Sequence, residues 1–123
     1  VWVAPAPMVA ALATLRVLDE TDALAHLARL GERLGTGLRQ LGAAHGLPVT
    51  VSGPPALPYM TFDDDGQELP LMKAFCREMI ARGVFLHPHH NWFLCAAHTE
   101  ADIDEVLETA DAAFRLTRRN AIP

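Results

Sequence analysis

Lysine is almost missing from this sequence, cysteine is scarce, and no apolar run is long enough to cross a bilayer. The 123 residues carry one lysine, Lys73, and nine arginines against fifteen acids, for a formal net charge of -5. The arginines are scattered, so no basic stripe is available to neutralise phosphates, and a nucleic-acid surface is excluded. The two cysteines, Cys76 and Cys95, fall in an expected helix and an expected strand. Neither their number nor their spacing makes a disulfide framework, which sets a reducing, cytoplasmic location as the default. The apolar opening is interrupted by Arg16, Asp19 and Glu20, well short of the roughly 20 apolar residues a membrane helix needs. No basic residues precede that opening, as they would in a signal peptide. Low-complexity tracts and blocks of like charge are also missing, which argues against disorder.

What is present is an ordinary globular composition, 50% apolar and 20% charged, at a length suited to one domain with a single core. The chain opens Val-Trp-Val-Ala-Pro rather than with methionine, and is expected to be part of something larger. From Pro7 the run Met8 to Leu18 is strongly helix-forming and apolar on nearly every side. Such a helix needs burial all round. Either it is the central helix of this domain, or residues 1–20 are a linking helix that packs on a missing body, with the domain proper spanning 21–123.

After Asp19-Glu20-Thr21-Asp22, leucines 24, 27, 30, 34, 38 and 41 recur at steps of three and four and predict an amphipathic helix ended by Gly46. Gly31 and Gly35 inside it each cost about 1 kcal/mol against alanine, which implies close approach of another backbone. Val49 to Val51 and Leu57 to Phe62 read as strands, with Pro58 tolerable only at an edge or a strand start. Asp63-Asp64-Asp65-Gly66 is a solvated turn; it lacks the alternating ligands and distant glutamate of a calcium loop. Pro70 opens a third helix with Leu71, Met72, Phe75, Met79 and Ile80 inward and Lys73 and Arg77 outward, closed by Gly83.

The stretch from Gly83 to Asp104 holds two short apolar runs, Val84 to Leu86 and Trp92 to Ala97, around a loop with three of the six histidines. It predicts a β-hairpin with a polar tip. Thr99 and Asp102 have the spacing of a capping box, so a last helix starts near Glu100, with Ile103, Val106, Leu107, Ala110 and Phe114 as its stripe. The sum is an α+β domain: an antiparallel sheet of about four strands covered by helices and preceded by a long helical segment.

Chemistry from these residues alone is limited. His87 and His89, with Cys95 or His98, approach a zinc set, but no pair has the spacing of a zinc module. Cys95 lies in an apolar run, where a thiol is usually buried and inert. His98 reads as a strand-end residue bonded to backbone.

Val84 to Asp104, Phe-Leu-His-Pro-His-His-Asn-Trp-Phe-Leu-Cys-Ala-Ala-His-Thr-Glu-Ala-Asp-Ile within it, resembles the C-terminal segment of class III pyridoxal-phosphate-dependent aminotransferases, nearest the glutamate-1-semialdehyde aminomutase-like branch. Trp2 to Leu15 is similar to the family's stretch beyond its phosphate-binding threonine, and Leu34 to Gly53 resembles the helix and first strand of the small domain. The resemblance implies the small domain of a fold type I enzyme, packed on a missing large catalytic domain that binds pyridoxal phosphate, in a homodimer that shares its active sites. It implies a transaminase or aminomutase in the parent protein. Schiff-base chemistry needs a lysine amine; Lys73 does not match the family's lysine, which lies upstream of the region resembling Trp2. Catalytic, cofactor-binding and metal residues are therefore expected to be none in this chain. Val3 and Ala4 stand where members usually carry a glycine and a polar residue. Many members place an arginine near the hairpin for a substrate carboxylate; His87, His89 and His90 stand in that neighbourhood. The expected substrate-side groups are His89, His90 and Asn91, with Trp92 packed behind. The alternative is a stand-alone, non-catalytic α+β module for ligand binding or oligomerisation.

Overall fold

Helix α2 (Ala23–Ala44) is the spine of the domain, because its leucines repeat on one face and bury Leu30, Leu34 and Leu38. The computed structural model describes residues 4–121, with side chains through 119. Ahead of α2 lies α1 (Pro5–Glu20); after it come β1 (Val49–Ser52), β2 (Tyr59–Phe62), α3 (Pro70–Ile80) and α4 (Glu100–Ala121). The two strands pair antiparallel, Val49 opposite Phe62 and Ser52 opposite Tyr59. Helices α2, α3 and α4 enclose one core with Met60 and Phe62 from β2, Met72, Phe75 and Met79 from α3, and Ile103, Ala110 and Phe114 from α4. At its centre the rings of Phe75 and Phe114 lie 4.7 Å apart, with Phe62 edge-on to both at 5.9 and 5.7 Å. Each such pair adds about 0.5–1.5 kcal/mol beyond the area it buries.

The expectation of four strands is corrected to two among the described residues. The segment Trp92 to Leu94 does approach the sheet: the Trp92 amide donates to the Pro58 carbonyl at 2.8 Å and the Leu94 amide to the Ala56 carbonyl at 3.0 Å. A ladder needs the return bonds, and Pro58 has no N–H to give. The proline that was tolerable only at a strand start stops the third strand, and shortens the second to begin at Tyr59. With no ladder to hold it, the expected hairpin is an irregular segment, held by these two backbone bonds and by the buried Leu86 and Trp92.

Helix α1 begins at Pro5, two residues before the expected start, and buries none of its residues. Met8, Val9, Leu12, Leu15 and Val17 are each more than half exposed, so the reading of α1 as the domain's central helix is excluded. Trp2 and Val3 lie outside the described residues. Leu24 at the start of α2 and Ile80 at the end of α3 are also exposed, against expectation, while Cys76 takes an inward place on α3. Leu24 and Ile80 lie on the outer side of their helices; the adjoining Ala23 and Met79 are the residues buried at those ends.

The acidic turn is more than a solvated loop. Asp63 accepts the Thr50 hydroxyl at 2.8 Å, and both carboxylate oxygens of Asp65 accept first-turn amides of α3, Leu71 and Met72, each at 2.9 Å. A carboxylate there satisfies two orphan donors and opposes the positive end of the helix dipole. Asp65→Ala is expected to cost about 1–2 kcal/mol in urea denaturation; an unchanged midpoint would contradict the capping role.

Candidate functional site

Gly83 ends α3 in the left-handed region, at φ 90°, a conformation glycine adopts without penalty. It turns the chain into the 84–98 segment, whose alternation of side chains is retained even though it makes no ladder. Leu86 and Trp92 point in and are buried; Phe85 and Phe93, their neighbours, point out and are 78% and 64% exposed. The Trp92 indole N–H donates to the His87 carbonyl at 3.1 Å, closing the tip. At the far end the Cys95 amide donates to His98 Nδ1 at 3.1 Å, and the imidazole of His26 on α2 donates to the His98 carbonyl at 2.8 Å. His98 is thus a backbone-bonding residue, at the end of an irregular segment rather than a strand.

Thr99 and Asp102 then form the expected capping box. The Thr99 hydroxyl accepts the Asp102 amide at 3.2 Å, and the Asp102 carboxylate accepts the Thr99 amide at 2.6 Å. The backbone bond from Thr99, followed by the bond from its hydroxyl, holds the Asp102 carboxyl below its ordinary value; desolvation opposes them weakly, and the charge of His98 adds a little to the lowering.

Between this segment and the first turns of α4 lies a groove of about 910 Å³, within the size range of small-molecule sites. Phe85, Phe93 and Val106 supply apolar walls, and His87, His90 and Asn91 reach it from the tip. Of the three residues expected on the substrate side, His90 and Asn91 line the groove. His89 does not; it is exposed, its ring 6.0 Å from His87 and its amide donating to His87 Nδ1 at 3.2 Å. His90 Nδ1 donates to the Asn91 carbonyl at 2.8 Å, and its ring stacks on Phe93 at 5.8 Å. Trp92 is buried beside them. Asp102 and Glu105 also line the groove. The two phenylalanines and the two acids were missed as site residues. The phenylalanines' signal was the period-two alternation about Leu86 and Trp92, which assigns Phe85 and Phe93 to the open face.

Cys95 is exposed, correcting the expectation of a buried thiol. Cys76 is buried, and burial pushes its thiol up to about 12. A thiolate-selective reagent at pH 8 is expected to label one thiol rapidly in the native chain and the second only after unfolding; Cys95→Ser removes the rapid phase, and rapid labelling of two thiols would contradict this burial. Among the described residues no group of three His, Cys, Asp or Glu side chains can hold a metal ion, and no helix is long and apolar enough to cross a membrane.

The sequence is 39% identical to an aminopentol aminotransferase of Sphingopyxis macrogoltabida over 97% of this chain and 28% of that protein. The solved structure of the FumI protein of a Sphingopyxis species, in its pyridoxal-phosphate internal aldimine form, superposes with a TM-score of 0.89 at 36% identity, covering 98% of this chain and 30% of that one. The chain belongs to the pyridoxal-phosphate-dependent aminotransferases. The family's aminomutase branch is also represented: a glutamate-1-semialdehyde 2,1-aminomutase of Bacillus pumilus is 31% identical over 94% of this chain and 29% of its own length. An omega-transaminase from Sphaerobacter thermophilus shares the fold, with a TM-score of 0.69 at 18% identity. No protein-family profile matches the sequence. The chain spans less than a third of the length of the curated relatives it matches, and corresponds to one piece of an aminotransferase rather than to the whole.

Among the described residues, the groove lacks the amine that pyridoxal phosphate needs. Pyridoxal phosphate needs an amine for its aldehyde, a carboxylate at the ring nitrogen and donors for its phosphate. The one amine, Lys73 Nζ, lies 3.6 Å from Glu68 on an exposed part of α3 and is not among the groove residues, which include no lysine or arginine.

Proposed function

We propose that this chain is the small domain of a pyridoxal-phosphate-dependent aminotransferase or aminomutase, supplying one wall of the substrate site while the remaining polypeptide supplies the coenzyme and its lysine. The observation that carries the reading is α1: a 16-residue apolar helix with no buried residue, attached to a core that closes without it. A helix that is apolar on nearly every side and open to water needs its surface buried, so a covering body is required. The large catalytic domain is that body. The segment from His87 to Asn91 then faces the substrate, with His90 and Asn91 in the groove and His89 at the outer tip. This chain's own residues bind and orient; proton transfer at the coenzyme belongs to the missing lysine. The same reading brings a cytoplasmic homodimer that shares its active sites between subunits.

The alternative, a stand-alone module, requires the Met8, Leu12 and Leu15 face to be covered by this chain or by a second copy. Among the described residues none covers it. The test is the purified 123-residue chain with pyridoxal phosphate, an amino donor and a keto acid. No turnover and no Lys73-dependent Schiff-base band are expected. Turnover by the isolated chain, or a band abolished by Lys73→Ala, overturns the reading.

A further inference from the structure

We propose that Trp92 is a positioning residue for the substrate-facing tip: its indole N–H, acting through the His87 carbonyl, fixes where His90 and Asn91 stand in the groove. The inference rests on the aminotransferase reading and adds to it the residue that sets the geometry of this wall.

The tip needs such a residue because its backbone does not hold itself. Residues 87–91 belong to no helix or strand, and Pro88 takes an amide out of the turn. The polar bonds inside the tip are local: the His89 amide donates to His87 Nδ1 at 3.2 Å, and His90 Nδ1 to the Asn91 carbonyl at 2.8 Å. Bonds of this kind orient side chains against their neighbours. They would be satisfied equally well if the whole tip swung away from the groove.

Placement comes from the bonds that leave the tip, and among the described residues these are two. The Tyr59 hydroxyl donates to the Pro88 carbonyl at 3.4 Å, and the Trp92 indole N–H to the His87 carbonyl at 3.1 Å. The first is near the outer limit of a hydrogen bond, whereas the second has an ordinary length. Trp92 is also fastened from behind. Its ring is buried in the core and its amide donates to the Pro58 carbonyl at 2.8 Å, so the indole stays in place when the tip is pulled. A buried tryptophan needs a partner for its N–H, and here that partner is the stem of the loop carrying the substrate-side groups. One residue thereby joins the tip's entry, its exit and the lead-in to β2. Binding groups lose much of their effect when misplaced by about 1 Å, so the worth of His90 and Asn91 depends on this tie.

The experiment replaces Trp92 alone by benzothienylalanine, which keeps the bicyclic shape and carries a sulfur where the N–H was. Packing is retained and one donor is lost. Thr50→Val, which removes a hydroxyl bond to Asp63 from β1, is the matched control. In amide relaxation of the 123-residue chain, the order parameters of His89, His90 and Asn91 are expected to fall from about 0.85 to below about 0.6 in the position-92 variant, and to stay unchanged in Thr50→Val. In a polypeptide carrying both domains, KM is read for the best donor among the standard amino acids and simple primary amines, with pyruvate as acceptor. The position-92 variant is expected to raise KM at least ~5-fold with kcat within ~2-fold, the mark of lost substrate binding. A merely structural defect lowers the active fraction, and so lowers apparent kcat at constant KM. Unchanged order parameters, a fall in kcat at constant KM, or an equal KM shift in Thr50→Val overturns the proposal. A loosened tip with unchanged KM sinks it too, while the turnover being measured leaves the aminotransferase reading standing. A two-domain polypeptide that turns over none of these donors, or an isolated chain that does, sinks that reading and this inference with it.

Discussion

Gly31→Ala is expected to lower the melting temperature of the chain by about 10 °C or more, the result of a loss of roughly 3 kcal/mol in a domain of this size. On propensity alone the substitution should help, since alanine is better than glycine inside a helix by about 1 kcal/mol. The decisive term is space. A Cβ on Gly31 overlaps the carbonyl oxygen and carbon of Pro55 and comes within 2.9 Å of its Cα, all backbone atoms that cannot rotate away. Pro55 sits in the β1–β2 turn, held by the Leu57 amide donating to the Pro54 carbonyl at 2.8 Å. Pushing that turn outward also displaces the Ala56 and Pro58 carbonyls that accept Leu94 and Trp92, so the groove segment loosens with the core. Gly35, one helical turn on, is the control. Its Cβ would stand 3.4 Å from Val51 Cγ1, an ordinary contact, so Gly35→Ala is expected to stay within about 1 kcal/mol of the parent. Equal effects at the two positions would dismiss the steric account.

That pair of glycines also marks how far the sequence could be read. Two glycines a turn apart in a leucine-striped helix imply a close backbone approach, but not which of them makes it; that depends on where the β1–β2 turn lands. The local signals with a short-range mechanism were legible: the Thr99 and Asp102 box, Pro70 at the head of α3, Gly46 and Gly83 at helix ends. The hairpin was not, because period-two alternation is equally present in a ladder and in a segment that merely copies its side-chain pattern. Whether bonds form depends on the partner, and the partner is a proline. At the site, the polar tip from His87 to Asn91 stood out by composition, whereas His89 parts from His90 and Asn91 through a turn that no spacing rule encodes. Phe85 and Phe93 were given no role because the apolar runs that hold them do not say which alternate residues face inward; they line a groove because Leu86 and Trp92 already fill the interior beside them. Asp65 passed as one of three solvated acids because its partners, the Leu71 and Met72 amides, lie six and seven residues away.

The other large effect is expected at α1, and it should be invisible in the isolated chain. Leu12 is 57% exposed, between Met8 and Leu15 on one face of the helix. An exposed leucine replaced by aspartate changes stability by at most about 0.5 kcal/mol when nothing packs on it, so Leu12→Asp should leave the melting temperature of the 123-residue chain nearly unchanged. If this face is covered by the large domain of an aminotransferase, the same substitution in a polypeptide carrying both parts buries a carboxylate with no partner. That costs about 3 kcal/mol or more, enough to reduce the properly docked population over 100-fold. The expected result is therefore a split: unchanged melting of the small domain, with transaminase activity of the two-domain protein down by about two orders of magnitude. Leu12→Met, which keeps the apolar surface, should retain activity and serves as the reference. A drop in the isolated chain's melting temperature would mean that α1 is already buried in solution, by this chain or by a second copy, and would favour the oligomerisation module. Full activity in the Leu12→Asp two-domain protein would mean that the face stays open to water. The exposed stripe would then be no docking surface, and the claim that this chain completes another body's active site would lose its main physical support.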